Sequence, residues 1–250
     1  MRGMPDDRKP PPPTGECAAV AIPPDALLRA ARGFSCVFWA IPIGLLLFSG
    51  ALDIRVFPRL RVPAYVLGVF LAYCGAIYLQ RAGALTPLWI RRVRALLFVL
   101  LLKVYLAPFV YWWRNVPGNP YYVANVALLM LVTAAGLFTV NRLGEEIGRV
   151  IRDRVFGVEA RVAAWVALLL SIMPLLVFLA YSFPPLLRSD ALVYVELMGV
   201  PLSASKWTYL LALLPFTLTM AVAWKAKERC LHLLKLFAAF PDGSHAGQKY

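Results

Sequence analysis

The chain has 250 residues, 61% hydrophobic and 16% charged, with a mean hydropathy of +0.69. Soluble domains run nearer half apolar and a quarter charged, so these proportions argue against a water-soluble globule and for an integral membrane protein. A net charge of +13 would suit a nucleic-acid binder, but the basic residues gather at the ends of apolar runs, as membrane topology requires. No nucleic-acid partner is expected.

Residues 1–24, with the run Pro10–Pro13 and mixed charges, read as a disordered cytoplasmic tail, and no cleavable signal pattern precedes the first apolar run. Residues 25–33 then read as a short interfacial helix: Asp25 can cap it, Gly33 can end it, and Arg29 and Arg32 give it a polar side.

Six apolar runs follow, at 34–52, 64–80, 95–113, 123–140, 162–183 and 208–224. Each is roughly 17 to 22 residues, and at about 1.5 Å per residue that matches a hydrocarbon core of about 30 Å. Lipid cannot satisfy unpaired backbone groups, so the expected fold class is all-α: a polytopic membrane protein with six transmembrane helices in a domain spanning 34–224. Of the 26 Lys and Arg residues, 19 lie in the N-terminal tail, the connections 81–94 and 141–161 and the C-terminal tail. That bias predicts both termini in the cytoplasm and a multi-pass protein of the plasma (inner) membrane of a bacterium. Prolines recur within the runs as Pro42, Pro108, Pro174 and Pro215, and predict kinks. In the second run Gly68, Ala72 and Ala76 form a small-residue face against which another helix can pack.

Lys103, near the middle of the third run, is the only charged residue inside any apolar run. A lysine there costs about 2.5 to 3.5 kcal/mol on insertion scales, which marks it as a functional candidate. With Tyr105, Pro108, Thr133, Pro174 and Thr217 it makes up the expected lining of a translocation path. Residues 141–161 alternate apolar and charged positions at three- to four-residue spacing and read as one or two amphipathic cytoplasmic helices. Glu145, Glu146, Arg149, Arg152, Asp153 and Arg154 there are the expected docking residues for a cytoplasmic partner. The outer connection 184–207 reads as holding a short helix from Ser189 and Asp190 to Met198, and residues 225–250 as a basic amphipathic helix and tail.

The runs contain no His, Asp or Glu, and the four cysteines, Cys17, Cys36, Cys74 and Cys230, form no CxxC pair. No catalytic residue, cofactor or metal site is expected from such a pattern, and the chain does not read as an enzyme. In layout it resembles bacterial ABC-2 type export permeases, which share a surface helix before six spans, both ends inside, and a helical insertion between the fifth and sixth. Only Phe183-Pro184-Pro185 matches that family's pattern at the end of the fifth span, and the long cytoplasmic connection here follows the fourth span rather than the second. The resemblance implies a permease-like or channel-like subunit energised by a separate ATPase, or one assembled with other membrane subunits or with copies of itself. The alternative is a non-transporting subunit that anchors or assembles a membrane complex.

Overall fold

The computed structural model describes residues 23–48, 66–83, 85–116, 119–188 and 206–239. The expected disordered tail, the short helix in 189–198 and the last residues of the chain lie outside them. Among the described residues there are six helices and no strands: α1 (Pro24–Phe48), α2 (Val66–Arg81), α3 (Pro87–Asn115), α4 (Pro120–Ile151), α5 (Arg154–Arg188) and α6 (Lys206–Ala239). Four of them, α1, α3, α4 and α5, are long and apolar enough to cross a membrane, while α2 is apolar but only 16 residues long. Large apolar side chains face outward on α3 and α5, among them Phe98, Leu101, Leu169 and Met173. Such surfaces suit lipid or another protein, not water.

The starts of α3 and α4 are set locally. Thr86 caps α3 by accepting from the Trp89 amide, Asn119 caps α4 by accepting from the Tyr121 amide, and a proline follows each cap. Proline at a first helical position gives up only a donor that had no intrahelical partner. Between α4 and α5 the chain turns within two residues. Arg152 adopts a left-handed conformation (φ 62°), its amide and that of Asp153 reach back to Gly148 O, and the Asp153 carboxylate accepts from the Phe156 amide to start α5. The turn can be this tight because Gly148 lies against Gly157; a Cβ on Gly148 would come within 2.8 Å of the Gly157 backbone.

Two expectations about local structure are corrected. Residues 25–33 do not form a separate surface helix, because α1 runs unbroken from Pro24 to Phe48. Gly33 lies inside α1, where a Cβ would stand 2.7 Å from Leu79 and 2.9 Å from Gly75 O, so it serves close helix packing and does not end a helix. Leu27, Ala30, Ala31 and Phe34 are buried accordingly, and Arg29 reaches across to Arg81 O at 2.9 Å. Residues 141–161 likewise are not an independent amphipathic unit; they are the last turns of α4, the tight turn and the first turns of α5. The basic segment beyond residue 224 continues α6 without a break.

Each helix packs on the next, α6 closes back on α1, and α4 also touches α6. The expected small-residue face is used inside this ring: Gly68 packs on the backbone of Gly44, and Ala76 is buried. The main core gathers at one end around Trp89, whose indole N–H donates to Leu79 O at 3.1 Å and whose ring meets Phe34 edge-on. A smaller cluster of Leu106, Phe109, Leu129 and Val132 joins α3 to α4 further along.

Candidate functional site

The described residues hold two groups of charge within the helix bundle, and both involve α3. The first lies where the apolar stretches of α3 and α4 give way to charge. Glu145 and Glu146 on α4 are completely buried, with Asn141 one turn away buried as deeply. Four arginines from three helices converge on the two carboxylates. Arg92 of α3 meets Glu146 Oε1 at 2.6 Å and also donates to Arg142 O. Arg149 bridges the two carboxylates, at 2.6 Å from Glu145 Oε1 and 2.9 Å from Glu146 Oε1. Arg161 of α5 donates from Nε and Nη2 to Glu145 Oε1, and Arg142 lies 2.5 Å from Glu145 Oε2. Thr86, the cap of α3, donates to Glu146 Oε2.

Charge-assisted bonds of this kind are short and directional, and together they fix the ends of three helices. Burial raises the Glu145 carboxyl, but the Arg161 hydrogen bond and the charges of Arg142, Arg149 and Arg161 outweigh it and hold the group below its ordinary value. Burial in the same place lowers the Arg92 guanidinium, against the pull of Glu146. Two further ion pairs extend the contact between α5 and the long α6: Lys225 with Glu159 at 2.6 Å, and Arg229 with Asp153 at 3.2 Å. Below the cluster, Asn141 Nδ2 donates to Leu137 O and to Thr219 Oγ1 of α6, and Thr219 donates to Pro215 O.

The second charge is Lys103. It shares a helical stripe with the buried residues Leu96, Leu100 and Ala107, so it lies on the inward face of α3. Val99, one turn earlier, touches Gly136 of α4, which puts Lys103 near the level of Val132. No described residue forms a hydrogen bond or ion pair with it. Arg92 lies on the same stripe 11 residues earlier, about 16 Å along the axis.

None of the other residues expected to line a path shares a hydrogen bond with Lys103. Tyr105 is 63% exposed and lies on the opposite side of α3, packed against Phe109. Thr217 is exposed and bonds Leu214 O, and Thr133 bonds Leu129 O within its own helix. Pro108 and Pro174 are half-buried inside continuous helices.

Of the expected docking residues, Glu145 and Glu146 are closed off inside the cluster and offer no surface to a partner. Arg149, Arg152 and Arg154 are exposed, and Asp153 is spent on the cap of α5 and on Arg229. Sequence reasoning missed Thr86, Arg92, Arg142, Arg161, Asn141 and Thr219 as members of the site. The adjacent acids Glu145-Glu146, set between the apolar positions Leu143 and Ile147, were the available signal. No protein-family model matches the chain, and no curated protein or solved structure is significantly similar to it.

Proposed function

We propose that this chain is a six-span integral membrane subunit of permease-like or channel-like type, with both termini in the cytoplasm and a separate partner supplying energy. The observation that carries the reading is Lys103, on the inward face of α3 with no described counter-charge. An unneutralised lysine inside a bundle is costly to keep for packing alone, and it can meet the anionic group of a passing or bound molecule. The bias of 19 of 26 basic residues supports the orientation, with α2 and the apolar half of α6 as the second and sixth spans. Arg149, Arg152 and Arg154 then form the accessible part of a cytoplasmic docking surface, which suits an acidic partner.

The outward apolar face of α5, where Leu169, Met173, Leu176 and Val177 are all exposed, favours a second reading as an anchoring or assembly subunit of a larger membrane complex. Purification in mild detergent, with mass spectrometry of co-eluting proteins, separates the two. A stoichiometric ATPase supports the permease-like reading. Membrane proteins alone, or elution of the chain by itself as a monomer, contradict it in its partnered form.

A further inference from the structure

A cleft of about 260 Å³ opens between the first turns of α5 and the middle of α6. Val155, Phe156 and Trp224 give it apolar walls, and two carboxylates, Glu159 and Glu228, stand there with two cations, Lys225 and Arg229. These charges are loosely held. Glu159 and Lys225 pair at 2.6 Å with both side chains about half exposed, and an exposed pair of this kind is cheap to re-partner. Arg229 meets Asp153 at 3.2 Å with more than half of its own side chain exposed. Among the described residues Glu228 has only Lys227, at 3.6 Å, and the Lys227 ammonium already lies 3.9 Å from the centre of the Trp224 ring.

The cleft lies at the end of an apolar track. α5 is long and apolar enough to cross a membrane. The face that gives Val155 and Glu159 to the cleft runs on as Val162, Leu169 and Met173, all more than half exposed. On α6 the face of Lys225 and Arg229 runs back through Leu214 and Leu211, also exposed. Exposed apolar faces leading to a cleft with charges of both signs match a zwitterionic phospholipid, its chains along the helices and its head among the charges. We propose that this cleft binds phosphatidylethanolamine, with Lys225 and Arg229 on the phosphate and Glu228 on the primary ammonium. Lys225 adjoins the apolar stretch and Glu228 lies about 4.5 Å further along the helix, the order in which phosphate and amine follow the acyl chains. A primary ammonium donates to a carboxylate and a choline head cannot, while the Trp224 ring that would attract a quaternary ammonium is already met by Lys227. A glycerol head brings no cation and leaves Glu228 without a partner. The inference needs α5 in a bilayer and nothing of the permease-like reading, whose own test is the co-elution of an ATPase.

The test uses the full chain, purified in a maltoside detergent and stripped of lipid. It is titrated separately with phosphatidylethanolamine, phosphatidylcholine and phosphatidylglycerol of identical acyl chains, and bound lipid is counted by native mass spectrometry. Phosphatidylethanolamine should bind about tenfold more tightly than phosphatidylcholine, the gain from one charge-assisted contact. Glu228→Gln should erase that difference, and its side chain is 52% exposed, so the fold should survive the change. Lys225→Gln should weaken all three lipids alike, and it stands in if Glu228→Gln fails to elute as folded protein. Equal binding of phosphatidylethanolamine and phosphatidylcholine by the unaltered chain overturns the site, as does tighter binding of phosphatidylglycerol. A preference that survives Glu228→Gln, or binding undiminished in Lys225→Gln, overturns it as well.

Discussion

Arg92 and Lys103 share one face of one helix, yet their surroundings are opposite. Arg92 belongs to a cluster in which two buried carboxylates collect four guanidiniums and a threonine hydroxyl from three helices. Lys103, three turns further into the apolar stretch, meets no counter-charge among the described residues. The difference teaches what each charge is for. A buried carboxylate surrounded by donors positions the elements that supply them, and losing it leaves several charges stranded. A half-buried cation with no counter-charge among the described residues gives the fold no ion pair to lose.

The largest effect expected is at the carboxylate shared most widely. Glu145→Leu removes the carboxylate that Arg142 and Arg161 pair with, and one of the two that Arg149 bridges, and should destabilise the folded chain by about 3 kcal/mol, measured by unfolding in mild detergent. Arg92→Gln keeps a donor but removes one of the two guanidiniums paired with Glu146, and a loss of about 2 kcal/mol is expected in the same assay. Acid should act on the same cluster. Glu145 has a folded-state pKa below its unfolded value, so its contribution is complete above the unfolded value, about 4.3, and is lost as pH falls through the folded one. Thermal midpoints should therefore be level from neutral pH to about 5, drop further down, and drop less in Glu145→Gln. The smallest effect belongs to Arg149→Ala, where a 42% exposed side chain is removed from a cluster that keeps three arginines; about 1 kcal/mol or less is expected.

How much of this could be read from the chain differs between the two regions for a physical reason. The apolar runs around Lys103 show plainly in the sequence, because spanning length and composition are local properties; 95–113 and 123–140 fall within α3 and α4. The charged end was misread at the same level of reasoning. A helical pattern with Glu145, Glu146 and Arg149 between Leu143 and Ile147 assigns the charges to a solvated face. Their actual partners include Arg92 and Thr86, some 50 to 60 residues earlier, and no local rule connects them. Gly33 misleads similarly: a glycine after an arginine-bearing segment looks like a helix end, and only the approach of Gly75 and Leu79 shows why it is small. The caps Thr86 and Asn119, each followed by proline, were legible signals of helix starts that the run boundaries left unused.

The division between a charge that locks and a charge that serves is tested most directly by thermal unfolding of Glu145→Leu and Lys103→Leu side by side with the unaltered chain. Glu145→Leu should unfold well below it, and Lys103→Leu at the same temperature or higher, since a half-buried cation without a counter-charge among the described residues is replaced by an apolar side chain. If Lys103→Leu proves the more damaging of the two, Lys103 is holding the bundle together and the account is wrong.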